Sequence, residues 1–138
     1  MGKEKLTIGR LEHIELVGIG IPRVQAKIDS GAYTSAIHFQ RIKIRRVDDQ
    51  RRLVVLFQMG GHRKTIVFKK FKRVTVRSSN GELSRRYMIK TRVRLNGHVV
   101  NSQFTLFDRS DMKHQVLLGR KFLRGRFVVD VSAKNLLG

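Results

Sequence analysis

Of the ten carboxylates in this chain, Asp29 has the setting best suited to chemistry. It closes the run Arg23-Val24-Gln25-Ala26-Lys27-Ile28 and is followed at once by Ser30, Gly31 and Ala32. Glycine lets the backbone come close and turn N–H groups toward a carboxylate, which holds an acid group in place for proton transfer. The same triplet also makes an ordinary turn, and composition alone does not separate the two uses. The remaining carboxylates offer less. Glu4, Glu12, Glu15 and Glu82, with Asp48 and Asp49, read as solvated surface or turn residues. Asp108 and Asp111 flank Arg109-Ser110 in a polar stretch suited to capping and loop hydrogen bonds, and Asp130 reads as the end of a strand.

Other chemistries find no footing. With no cysteine there is no disulfide framework, no thiolate metal site and no cysteine nucleophile. The five histidines, His13, His38, His62, His98 and His114, form neither an HExxH motif nor a helix-spaced pair. His38 reads as a hydrogen-bonded structural residue. Gly60-Gly61-His62-Arg63-Lys64-Thr65 lacks the spacing of a phosphate-binding loop and reads as a turn between strands. No serine sits in an elbow motif with an ordered histidine and acid. No metal and no cofactor is expected.

The elements that must position Asp29 are strands. Val24, Ala26 and Ile28 alternate with polar neighbours, and Val74-Thr75-Val76 and Thr91, Val93, Leu95 repeat that period of two. Asn80-Gly81 and Asn96-Gly97 tolerate the positive φ of tight hairpin turns, and Asp48-Asp49-Gln50 marks a third. A single proline leaves the ladders unbroken. The one persuasive helix is short, around Leu118-Gly119-Arg120-Lys121-Phe122-Leu123, with Gly125 placed to stop it. One all-β, barrel-like domain over residues 1–138 follows, with one late helix.

Charge is the loudest global property. Thirty Lys and Arg against ten Asp and Glu give a formal +20. Such a field draws polyanions of any kind, so RNA, ribosomes and acidic peptides all qualify as partners, as does a plain solvated basic face. The cations are spread through the strand patterns and not gathered in a tail. Apolar runs are short and interrupted by Lys or Arg, and the first residues lack a signal-peptide core, so a soluble, cytoplasmic protein without membrane contact is expected.

Three blocks taken together resemble a known family: Asp29-Ser30-Gly31-Ala32-Tyr33-Thr34-Ser35-Ala36-Ile37-His38, then the stretch 108–123 with Leu117-Leu118-Gly119-Arg120-Lys121-Phe122-Leu123, then Arg126-Phe127-Val128-Val129-Asp130-Val131-Ser132. In this order they are similar to the retropepsin-like proteins often labelled "ATP-dependent zinc proteases", over about residues 12–132. The resemblance implies a retropepsin-like closed β-barrel, the acid protease fold. It implies that Asp29 is the catalytic aspartate, that Ser30, in place of the commoner Thr, and Gly31 complete its triplet, and that the helix of the second block, Leu117 to Leu123, braces the loop. Thr34 and Arg120 become supporting residues around it. The zinc and ATP of the label find no matching residues.

The implied chemistry needs two carboxylates sharing a proton, one deprotonating a water while the other polarises the scissile carbonyl. The chain carries a single such triplet, since Asp130-Val131-Ser132 lacks the glycine. Two copies of Asp29 facing each other in a homodimer are the simplest completion. The hairpin at Ser79, Asn80 and Gly81 reads as a flap over substrate or as an ordinary protruding hairpin. The leading expectation is an aspartic endopeptidase acting on a peptide or protein, with acidic substrates suited to its charge. Members of the resembled family are associated with enzymes that ligate glutamate onto ribosomal protein. The competing reading is a basic β-barrel module that binds RNA or ribosomes without catalysis, with Val67-Phe68-Lys69-Lys70-Phe71-Lys72-Arg73 as its contact segment.

Overall fold

Alternating apolar and polar residues carry most of the chain into strands. The computed structural model describes residues 4–77, 80–108 and 113–138. Along these residues run β1 (Leu6–Ile8), β2 (Leu11–Leu16), β3 (Ile21–Ile28), β4 (Ser35–His38), β5 (Arg41–Val47), β6 (Gln50–Met59), β7 (His62–Phe68), β8 (Lys72–Arg77), β9 (Leu83–Leu95), β10 (His98–Phe107) and β11 (Val116–Leu118). The helix α1 (Arg120–Leu123) and β12 (Phe127–Val129) follow. The fold is all-β with almost no helix. No helix of the described residues is long and apolar enough to cross a membrane.

Seven strands form one sheet in the order β10-β4-β11-β3-β2-β9-β8, and β9 also pairs with β10, so the ladder returns on itself. Strands β5, β6 and β7 form a separate three-stranded sheet, and β1 and β12 pair in parallel. The turns follow their residues. Asn96, at φ 55°, links β9 to β10 with Leu95 opposite His98. Asp48 and Asp49 both take positive φ, at 50° and 62°, between the paired Val47 and Gln50. Gln50 is therefore already in β6, and this turn is one residue shorter than expected, since a two-residue turn with both φ positive matches the strand twist. The helix is shorter as well. Leu118 belongs to β11, wedged between β3 and β4, and α1 begins only at Arg120. Gly125, at φ 77°, follows its end.

The inward sides of these strands make the core, in which Leu16, Ile21, Phe57, Phe104, Ile89, Leu95 and Leu118 are fully buried. Each such side chain contributes about 1.5–3 kcal/mol relative to exposure. Glu12 overturns its surface reading. It is wholly buried, and its carboxylate accepts the N–H groups of Gly9 at 2.7 Å, Leu136 at 3.0 Å and Leu137 at 3.2 Å. The cause is register: Glu12 is in phase with the inward Ile14 and Leu16 of β2, and the C-terminal segment crosses it with N–H groups that need an acceptor.

Candidate active site

The inward residues Val24, Ala26 and Ile28 of β3 anchor that strand in the core, and Asp29 follows as the first residue outside it. The Asp29 N–H donates to the Leu118 carbonyl at 2.9 Å, continuing the β3–β11 pairing by one residue. Its carboxylate Oδ1 accepts the Gly31 N–H at 3.0 Å, and its carbonyl accepts the Ala32 N–H at 3.2 Å. A β-carbon on Gly31 would stand 3.3 Å from that same Oδ1, so glycine leaves the carboxylate uncrowded. Asp29 remains half-buried, with the exposed Ser30 and Gly31 beside it.

The segment after β11 holds this loop by its backbone. Arg120 and Lys121 donate their N–H groups to the carbonyls of Ala32 and Tyr33 at 2.8 and 2.9 Å. These N–H groups at the start of α1 have no partner within the helix, so the loop supplies the acceptors. The Gly119 N–H donates to Ser35 Oγ at 3.0 Å, and the Arg120 guanidinium donates to the Ser30 carbonyl at 2.9 Å. A β-carbon at Gly119 would lie 2.8 Å from both the Ala32 and Tyr33 carbonyl oxygens, so the approach depends on glycine. The Tyr33 ring, about half exposed, takes the Arg120 and Arg124 guanidinium groups at 5.8 Å from its centroid.

The structure thus brings Asp29, Ser30, Gly31 and Arg120 into one assembly. Thr34 lies half-buried in the same loop, but the side chain that grips Gly119 is that of Ser35. The sequence reading passed over Ser35. Its signal was its place opposite the Gly119-Arg120 pair in the second half of the same block. In the proposed flap, Asn80 and Gly81 turn the hairpin between β8 and β9, with Gly81 at φ 86° and Asn80 Oδ1 accepting the Glu82 N–H at 3.1 Å. Ser79 lies outside the described residues, as does Asp111. Asp130 ends β12 and accepts both the N–H and the hydroxyl of Ser132, which holds its carboxyl below the ordinary range. His38 is buried and stacked on Phe39.

Next to the loop runs a basic groove. One hollow of about 220 Å³ is lined by Ser35, Lys121, Phe122 and Arg126, and another of about 680 Å³ by Lys69, Lys70, Phe71 and Lys72. They share Lys90, Asn101 and Gln103, and no acidic side chain lines either. Phe68 and Phe71 pack edge-on against Phe57 and Tyr87 instead of standing free. Among the described residues, no three His, Asp or Glu side chains gather as a metal would require, so the donor set does not fit zinc.

The sequence matches the family "RimB-like", described as "Retropepsin-like aspartic endopeptidase RimB", over residues 7–137. This chain belongs to the RimB-like family. That description carries no zinc and no ATP, and so corrects the label that came with the resemblance. Curated relatives include a "Probable alpha-L-glutamate ligase" of Shewanella halifaxensis, 34% identical over 100% of this chain, and one of Parasynechococcus marenigrum, 30% identical over 97%. The chain spans only 31% and 30% of the length of these two relatives. A crystal structure of a Legionella pneumophila protein of unknown function superimposes with a TM-score of 0.79 over 98% of this chain and 100% of that one, at 17% identity, and so shares the fold.

Proposed function

We propose that this RimB-like protein is an aspartic endopeptidase that hydrolyses acidic peptides, with Asp29 as its acid–base group. One observation carries the reading. A half-buried carboxylate at the mouth of a core strand stands in a loop that five neighbouring backbone and side-chain contacts from Leu118, Gly119, Arg120 and Lys121 fix in place. Positioning of this kind is what proton transfer to and from water requires. The ring of pairings from β10 through β4, β11, β3, β2 and β9 back to β10 fits the closed barrel of the acid protease fold.

Catalysis is completed by a second copy. Asp29 of one protomer takes a proton from water while the partner's Asp29, protonated, donates to the scissile carbonyl oxygen. Water oxygen bonds to the carbonyl carbon, and the tetrahedral intermediate then breaks its C–N bond as the amine nitrogen takes the proton held by the first Asp29 and a hydroxyl of the intermediate returns its proton to the partner's Asp29. The parallel pair β1–β12 supports such a seam, because among the described residues each of its strands pairs with the other alone and leaves one edge without a strand partner. The basic groove beside Ser35 suits a glutamate-rich substrate. The ligase name belongs to relatives of which this chain spans only 31% and 30%, and it is not carried over to this chain. Incubating the protein with glutamate-rich peptides tests the reading: hydrolysis that Asp29→Asn removes without lowering the melting temperature supports it, and turnover retained by the variant overturns it.

A further inference from the structure

The three-stranded sheet β5-β6-β7 has a face that the peptidase reading does not use. Ile42 and Ile44 of β5 and Leu53, Val55 and Phe57 of β6 turn toward the core. Their alternates lie on the other face: the exposed Arg41, Lys43 and Arg45 on β5, the half-buried Arg52 with Val54 and Leu56 on β6, and the exposed Arg63, Thr65 and Val67 on β7, so that cations frame an apolar strip. The register sets Arg45 directly opposite Arg52, and Arg46 opposite Arg51. Like charges opposed in this way weaken a strand pair. The ion pair found among the described residues joins Arg94 to Glu15 elsewhere, and the carboxylates nearest in sequence, Asp48 and Asp49, lie in the turn beyond Val47 and not between the opposed arginines.

Protection of an exposed sheet edge explains cations on β5, which is an edge strand. It does not explain Arg51 and Arg52 on the central strand β6. An arrangement that keeps opposed arginines, at a cost to its own sheet, is suited to a bound polyanion. We propose that the outward face and tip of this sheet dock the phosphodiester backbone of a nucleic acid duplex. The face is a broad, three-stranded surface with no aromatic ring, because Phe57 and Phe68 turn inward against each other. Base stacking is therefore excluded as the contact, and a single strand loses its usual platform. Arg41, Lys43 and Arg45 recur along β5 at steps of about 6.8 Å, an interval comparable to that between successive backbone phosphates. Guanidinium groups bind phosphate oxygens in pairs, which a row of arginines repeats. An acidic peptide meets this interval only when it is held extended, whereas a duplex backbone fixes it in advance.

The test measures binding of a 20-base-pair RNA duplex, the DNA duplex of the same sequence, and poly-L-glutamate across a salt series. Wild type should bind both duplexes. Arg45→Gln with Arg52→Gln should lower the slope of log affinity against log salt by about 1.8, the value for two lost phosphate contacts. The melting temperature of that variant should stay level or rise, since a repulsive pair is gone, and Asp29→Asn should bind the duplexes as wild type does. Lys69→Gln with Lys70→Gln removes the same charge elsewhere and should change the slope less. An equal loss in that control would overturn the proposal in favour of diffuse charge. Binding of poly-L-glutamate through the same arginines, with neither duplex bound, would overturn it in favour of an acidic protein. Hydrolysis enters none of these readouts, so failure here leaves the Asp29 reading standing, and the reverse.

Discussion

Asp29 and Glu12 are both carboxylates held by backbone N–H groups, and they are held for opposite ends. Glu12 is wholly enclosed and takes three N–H groups, two of them from residues 136 and 137, so it ties the C-terminal segment to β2. Asp29 takes one, from Gly31 two positions on, and stays half-open. Three donors occupy most of the acceptor sites of the first, and one leaves most of those of the second open. A carboxylate used for chemistry must keep oxygen lone pairs available, whereas one used for architecture gives most of them away.

Variants sharpen this contrast, and the largest effect belongs to Asp29. Asp29→Asn should lower peptide turnover by about a thousandfold or more, the scale of a lost general acid–base group. Its melting temperature should stay within a few degrees of wild type, because one exposed hydrogen bond is worth only about 0.5–1.5 kcal/mol. Glu12→Ala should do the reverse. It strands buried N–H groups, each costing about 1–3 kcal/mol, and urea unfolding should show a loss of about 3 kcal/mol or more. Equal effects of the two variants on stability would erase the distinction.

Gly119→Ala comes next, with an expected loss of about 2–3 kcal/mol, since its β-carbon meets two rigid carbonyls at 2.8 Å and not a flexible side chain. Turnover should fall with it as the Asp29 loop is pushed off its brace. Arg120→Gln should cost about 1 kcal/mol and slow turnover without abolishing it, because the Ser30 carbonyl loses one donor while the two backbone contacts remain. Asp130→Asn should act least, and its effect should depend on pH. Ser132 lowers the folded-state pKa of Asp130, so its contribution is present above the ordinary carboxylate value and fades as pH falls through the lowered one. The variant's melting temperature should lie slightly below wild type near neutrality and change less across that acid window, so that the two converge below it.

The Asp29 loop was legible because its parts are contiguous: strand, acid, hydroxyl and glycine follow one another within a single block. The hairpins were legible for the same reason, and Asp48-Asp49 misled only by one residue. Glu12 was missed although its phase with Ile14 and Leu16 was visible, because two of its three donors lie more than a hundred residues away and no local pattern announces them. The pairing of β1 with β12 was hidden for that reason too, each strand being three residues long with no periodicity to read. Ser35 went unseen beside Thr34 because adjacent hydroxyls look alike in sequence, while Thr34 ends the loop and Ser35 opens β4 with its side chain buried.

The joining of the earliest strand to the last has a consequence for how the chain comes into being. Leu6 pairs with Phe127, and the carboxylate of Glu12 waits for residues 136 and 137. Contacts so distant in sequence form slowly, since the long loop must close before they reward it. During synthesis the opening segment, including the buried glutamate, is therefore exposed until nearly every residue described here has left the ribosome. Its partners arrive more than a hundred residues later, so this closure forms after the local hairpins between them have been synthesised.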